Sequence, residues 1–100
     1  MINGKRIAVV LPAYNAARTL ASCVGEIPGD FVDDIIIVDD ASQDATVGIA
    51  RALGLELRQH EQNLGYGGNQ KTCAIVAMQY ALHVRGVTRF KYLEPQDAGK

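Results

Sequence analysis

The sequence predicts an α/β fold: a three-layer α/β/α sandwich around a mainly parallel sheet, with the element order β-α-β-α-β-α-β. Three observations predict it. Apolar runs of strand length recur at residues 7–11 and 35–38, without the polar alternation of a half-solvated strand. Each run leads into a polar loop and then a helix-length segment with inward-facing apolar positions. The chain of 100 residues, 48% apolar and 21% charged, is one domain's worth, with enough apolar surface to offset chain entropy. Strand–helix alternation of this kind builds a parallel sheet through right-handed crossovers.

The elements follow in order. Residues 5–11 (KRIAVVL) read as a buried strand, stopped by Pro12, which has no N–H to offer a ladder. Asn15 is placed to cap a helix over 16–25, with Leu20, Cys23 and Val24 facing inward. Pro28-Gly29-Asp30 makes a turn. Residues 33–38 (DDIIIV) are β-branched, apolar and bracketed by carboxylates, as in a central parallel strand. Residues 39–43 form a loop, with Ser42 or Asp44 as the cap of a helix over 46–53 that Gly54 closes. Residues 55–60 (LELRQH) alternate and read as a strand nearer the sheet edge. A glycine-rich loop over 61–69 precedes a long helix over 69–85. Ala74, Ile75, Ala77, Met78, Ala81, Leu82 and Val84 give that helix its apolar stripe. Gly86 stops it, residues 87–93 (VTRFKYL) read as a fourth strand, and 94–100 are polar and turn-like.

Composition removes several function classes. The net charge is −1 and no basic stripe appears, so a nucleic-acid partner is not expected. No apolar run approaches the roughly 20 residues of a membrane span, and the N-terminus does not read as a signal peptide. A cytoplasmic protein is expected. Cys23 and Cys73 are too few for a disulfide framework and read as buried reduced thiols. His60, at a strand end, and His83, on a helix, have no ligands at zinc spacing. Arg6 and Arg18 read as solvated charges.

Open α/β sheets bind ligands beyond the carboxyl ends of their strands. Three loops take that place: Pro12-Ala13-Tyr14-Asn15, residues 39–43, and residues 63–69. Asp39 and Asp40 repel each other and neither helps a core. In one reading, one caps the next helix and the other is solvated. In the other, the carboxylate left over accepts hydrogen bonds from a ribose hydroxyl or a base N–H. The glycines of Gly65-Tyr66-Gly67-Gly68 allow close backbone approach to a ligand, and the following helix start can receive a phosphate. Lys71, placed in the first helical turn, opposes the helix dipole unless an anion offsets it. A mobile loop with a solvated lysine fits the same residues. Tyr14 suits either a core edge or a base-stacking platform. A dinucleotide fingerprint and a Walker A motif both fail on glycine placement.

Val10-Leu11-Pro12-Ala13-Tyr14-Asn15, the run 36–46 (IIVDDASQDAT) and Asn63-Leu64-Gly65-Tyr66-Gly67-Gly68 closely resemble family 2 glycosyltransferases. The likeness is to the branch with polyprenyl- and dolichol-phosphate sugar transferases, and it covers roughly residues 5–85. The resemblance implies the N-terminal, nucleotide-binding half of a GT-A fold, with residues 1–100 a single truncated domain lacking its acceptor half. It implies that Pro12, Ala13 and Tyr14, with Asn15 beside them, line a nucleoside pocket and that Asp39 holds the base. Asp40 and Ser42 would support that loop, and Gly65, Gly67 and Lys71 would lie near the nucleotide. It also implies Mg²⁺ or Mn²⁺ at the end of the fourth strand, where this chain has Glu94 and Asp97 in place of a D-x-D motif.

The expected function is therefore transfer of a sugar from a UDP- or GDP-linked donor to an acceptor hydroxyl or lipid phosphate, with this chain as the donor-binding portion. A lipid-phosphate acceptor would bring the protein to a bilayer surface. Sheet surface left uncovered by a half-domain would favour self-association. The alternative is a catalytically inactive nucleotide-binding or interaction module that keeps only the fold. A nucleotidyltransferase is a third, against which the Pro12-Ala13-Tyr14-Asn15 motif counts.

Overall fold

The structure, a computed structural model, describes residues 4–83 and 90–92. The elements are β1 (Ala8–Ala13), α1 (Leu20–Gly25), β2 (Asp34–Asp39), α2 (Thr46–Ala52), β3 (Glu56–Gln59), α3 (Gly65–His83) and β4 (Phe90–Tyr92). The order is the expected one. The four strands form one sheet, ordered β3-β2-β1-β4, and every pairing is parallel. The chain steps outward from β1 to β3 and then returns to the far side of β1. Such a reversal opens a crevice at the carboxyl ends of the strands flanking it.

The continuous apolar runs are explained by helices on both faces. Val10, Ile36 and Val38 pack against Cys73, Val76 and Ala77 of α3. Leu11, Ala13 and Ile37 turn to the other face, against Leu20 of α1 and Ala50 of α2. Alternate residues of each strand thus serve opposite layers, and neither face can be polar. Burial pushes the Cys73 thiol up to about 11, so it is inert at neutral pH. Cys23, expected to be buried, is only half-buried.

Three boundaries depart from expectation. Pro12 does not stop β1, which runs on through Ala13 with Pro12 opposite Val38. The Ala13 carbonyl accepts from the Asp40 N–H on the β2 side. Neighbouring residues of a strand point opposite ways, so the missing N–H of Pro12 faces the β4 side, where described pairing ends at Val10. The strand therefore loses no ladder bond on its β2 side.

The first helix starts at Leu20 rather than at residue 16. Asn15 sits at φ 48° and spends its side chain on the next loop. Residues 16–19 form a turn, closed by Ala16 carbonyl bonds to the N–H groups of Thr19 and Leu20.

The last helix begins at Gly65, four residues before the expected start at residue 69. Much of the glycine-rich loop is helix. Of the expected α3 stripe only Ala77 is buried, and Val84 lies outside the described residues. Asn69, Cys73, Val76 and Ala77 are buried, with Tyr80 packed beside them. Ile75, Met78 and Leu82 are exposed, Leu82 by 80%. Among the described residues, α3 carries the most exposed large apolar side chains, Met78 and Leu82. The expected fourth strand is seen over residues 90–92, and Glu94 and Asp97 lie outside the described residues.

Candidate nucleotide site

The carboxyl ends of β1, β2 and β3 carry the three loops that the sequence singles out, and the structure ties them together. The ties are mostly side-chain acceptors on loop N–H groups, which is how irregular backbone near a core satisfies its polar atoms.

The β1 and β2 loops are zipped side by side. Asn15 N–H donates to Ser42 Oγ at 2.8 Å, and Gln43 N–H donates back to Asn15 Oδ1 at 2.9 Å. Ala16 N–H donates to Thr46 Oγ1 at 2.8 Å, and Ala17 N–H to Asp44 Oδ2 at 3.2 Å. Asp44 also accepts from Thr46 N–H and from the Thr46 hydroxyl, and so organises the start of α2 although Ala45 occupies the cap position. Burial pulls the Asp44 carboxyl upward, but hydrogen bonds from Thr46 and Ala17 outweigh it and the net shift is downward. Pro12 and Ala13 are buried, Tyr14 is half-buried and Asn15 is exposed.

Asp39 and Asp40 are both buried, at 1% and 2% exposure, so neither is a solvated carboxylate. Asp39 turns to Ser42: Oδ2 accepts from Ser42 N–H at 2.9 Å and Oδ1 from Ser42 Oγ at 2.5 Å. Between them Ala41 is left-handed, at φ 61°. Ser42 thus links Asp39 to the β1 loop. Asp39 keeps acceptor capacity, since an ionised carboxylate offers about four lone-pair sites and Ser42 takes two.

Asp40 turns the other way, onto the third loop. Its Oδ1 accepts from Leu64 N–H at 2.7 Å and its Oδ2 from Gly65 N–H at 2.9 Å. Asn63 closes the corner, donating to the Asp40 carbonyl at 3.2 Å and accepting from Gly65 N–H at 3.1 Å. A carboxylate here also suits the N-terminal end of the α3 dipole.

Two glycines of this turn have separate physical reasons. Gly65 lies at φ +81°, which L side chains rarely adopt. At Gly68 a Cβ would sit 2.6 Å from Leu64 Cβ, so a side chain there would force the turn open. At Gly67 a Cβ would meet nothing within 4 Å, and its backbone lies open. Lys71 is exposed in the second turn of α3, not the first.

Sequence reasoning passed over three residues that build this end of the sheet. Asn69 is buried and donates from Nδ2 to the carbonyls of Val38, at 3.1 Å, and Ala13, at 3.5 Å. Thr46 receives the β1 loop. His60 stands between Asp40 and Thr72, 2.8 Å and 2.7 Å from their side-chain oxygens. Asn69 had a signal: with Cys73 and Val76 it makes an i, i+4, i+7 face with a polar member, as expected where a helix meets carbonyl ends. His60 had none beyond its place at a strand end.

Among the described residues no three His, Cys, Asp or Glu side chains gather as a metal site. Glu94 and Asp97, where the resemblance implies a cation, lie outside the described residues. No described helix is long and apolar enough to cross a membrane.

The chain is 33% identical over 79 residues to an uncharacterized protein of Methanocaldococcus jannaschii, covering 79% of this chain and 32% of that one. It is 37% identical over 81 residues to the UDP-N-acetylglucosamine–dolichyl-phosphate N-acetylglucosaminyltransferase of Methanococcus voltae, covering 64% of this chain and 32% of that one. It therefore spans about a third of the length of these relatives. Among solved structures it resembles glucosyl-3-phosphoglycerate synthase of Mycobacterium tuberculosis, in a complex with Mn²⁺, UDP and glucosyl-3-phosphoglycerate. The TM-score is 0.64 at 27% identity, over 92% of this chain and 34% of that one. Residues 8–78, which hold all three loops, match glycosyl transferase family 2, and the chain belongs to that family.

Proposed function

We propose that this chain is the donor-binding portion of a glycosyltransferase and that its three zipped loops hold a nucleotide-diphosphate sugar. The observation that carries the reading is the division of labour between the adjacent carboxylates. Asp40 is consumed in building the site, while Asp39 is held in one orientation by Ser42 with acceptor capacity to spare. A buried, oriented carboxylate at a strand's carboxyl end suits the N–H of a nucleobase. Pro12, Ala13 and Tyr14 form the wall beside it, with Asn15 and Ser42 bracing the loop. The open backbone at Gly67 admits the ribose or diphosphate, and Lys71 supplies a cation further along α3.

The metal belongs to this proposal through Glu94 and Asp97, as does a cytoplasmic enzyme acting on an acceptor hydroxyl or, at a bilayer surface, a lipid phosphate. The family membership, and similar structures holding UDP and Mn²⁺, support the reading.

The test is calorimetric titration of UDP and GDP, with and without Mn²⁺, against wild type, Asp39→Ala and Asp39→Asn. Binding by wild type that falls at least ten-fold in both variants is the expected result. Failure of wild type to bind either nucleotide, or equal binding by all three proteins, sinks the donor site.

A further inference from the structure

We infer that His60 is a positioning residue that clamps the Gly65–Gly68 turn to the end of β2, and so sets the nucleotide-facing backbone of the site. This rests on the donor-site reading above and adds a residue to it.

The turn is held at both ends, and His60 touches both holders. At its start, Asp40 accepts from Leu64 N–H and Gly65 N–H. At its end, the Gly68 carbonyl faces Thr72 Oγ1 at 3.2 Å. His60 bridges them, with Nδ1 2.8 Å from Asp40 Oδ1 and Nε2 2.7 Å from Thr72 Oγ1. Its backbone is anchored too, through its N–H to the Asp39 carbonyl at 2.9 Å. The imidazole thus joins Asp40, which holds the start of the turn, to Thr72, which lies against its end.

Several features make this more than packing. A carboxylate only accepts, so Nδ1 carries the proton that Asp40 receives. The His60 side chain is 12% exposed and that of Asp40 3%, so water competes weakly for these bonds. Asp40 must aim its two oxygens at two successive N–H groups, and the imidazole fixes the rotamer that does so. The clamped turn also includes Gly67, whose backbone is open. A ligand lying there reads the turn's geometry directly.

The experiment uses the full chain and two readouts: amide hydrogen exchange at Leu64 and Gly65 without ligand, and affinity for UDP in the presence of Mn²⁺. His60→Ala removes both arms. His60→Asn places an amide N–H near the Nδ1 position and restores only the bond to Asp40. The clamp predicts that His60→Ala speeds exchange at Leu64 and Gly65 about ten-fold and weakens UDP binding about ten-fold, the scale of one lost hydrogen bond to a charged group. Amides of β1 and β2 should be unaffected, and His60→Asn should recover both readouts to within about three-fold. If His60→Ala does not fold, Thr72→Val severs the other arm and should move both readouts in the same direction.

Unchanged exchange at Leu64 and Gly65 overturns the clamp. Faster exchange with unchanged UDP affinity overturns its bearing on the site. A His60→Asn protein no better than His60→Ala assigns the effect to ring packing and overturns it as well. Wild type that does not bind UDP removes the donor site itself, and the exchange data then decide the clamp alone.

Discussion

β2 carries a pair of carboxylates at each end, and the two ends are built differently. At the amino end, Asp33 and Asp34 are half-buried and fastened largely by side chains. Arg6 pairs with Asp34 at 2.8 Å, and the Tyr80 hydroxyl donates to the same oxygen. Arg6 is thus an anchored charge and not the solvated one expected. Asp33 accepts one backbone bond, from Ile7 N–H at 2.8 Å. A groove of about 540 Å³ opens there between β3 and α3, bordered by Arg6, Asp34, Glu56, Arg58, Tyr80 and His83. Its acidic and basic side chains are paired, Arg6 with Asp34 and, loosely, Arg58 with Glu56 at 3.7 Å. At the carboxyl end both carboxylates are buried and receive backbone N–H groups of the loops that follow. The difference is one of what depends on the acid. At the amino end it fastens two partly exposed side chains and a single backbone N–H, that of Ile7. At the carboxyl end it holds the path of the chain. The candidate site lies at that end and not in the groove, because there the backbone is fastened in place.

The largest effect that would test this contrast is at Asp40. Asp40→Ala leaves Leu64 N–H and the His60 imidazole without their acceptor and Gly65 N–H with Asn63 alone, and should cost about 3 kcal/mol in chemical denaturation. Asp34→Ala, at the half-exposed end, should cost about 1 kcal/mol or less. Equal losses would break the comparison.

Asn69→Ala should come next, at about 2 kcal/mol, since the Val38 carbonyl loses the Asn69 donor and the Ala13 carbonyl is left with Asp40 N–H. The same variant should loosen the seating of α3, read as faster amide exchange through its first two turns.

Acid titration adds to the contrast through Asp33, at the amino end, and Asp44, in the loop beyond the carboxyl end. Asp33 is lowered chiefly by the Ile7 N–H, and Asp44 is lowered once its loop donors outweigh burial. Their contribution is present above the unfolded carboxyl value and is lost as pH falls through the folded one. Stability should therefore decline below about pH 4, and Asp33→Asn should flatten part of that decline in a melting series.

The smallest effect belongs to Ala41. A left-handed alanine costs about 1 kcal/mol, part of which glycine recovers against its own chain entropy, so Ala41→Gly should stabilise by a few tenths of a kcal/mol. A loss of stability there would mean that the turn between Asp39 and Ser42 is held by something other than backbone conformation.

Much of this was legible in the residues. The runs around Val10 and Ile36 are apolar without alternation, which demands cover on both faces and hence parallel strands with helices above and below. The polar loops after β1, β2 and β3 then had to share one sheet edge. The alternating residues Leu55 to His60 gave an edge strand for the same reason. Less legible was which loop residues build the site and which remain to act. Asp39 and Asp40 are chemically identical neighbours, and only the positions of Ser42, Leu64 and Gly65 assign one to its own loop and the other to the next.

By itself, then, the sequence determined the layer order, the parallel sheet and the sheet edge that the three polar loops share, because those follow from hydrophobic periodicity and from how strands connect. Tertiary structure alone decided where α3 begins and which way it faces. Its apolar residues lie on more than one side, so periodicity could not choose between the Ile75–Met78–Leu82 stripe and the Cys73–Val76–Ala77 face. The choice was made by polar contacts distant in sequence: Asp40 on the first N–H groups of the turn, and Asn69 on the carbonyl ends of β1 and β2. A buried polar atom must find its partner, and that requirement is not local.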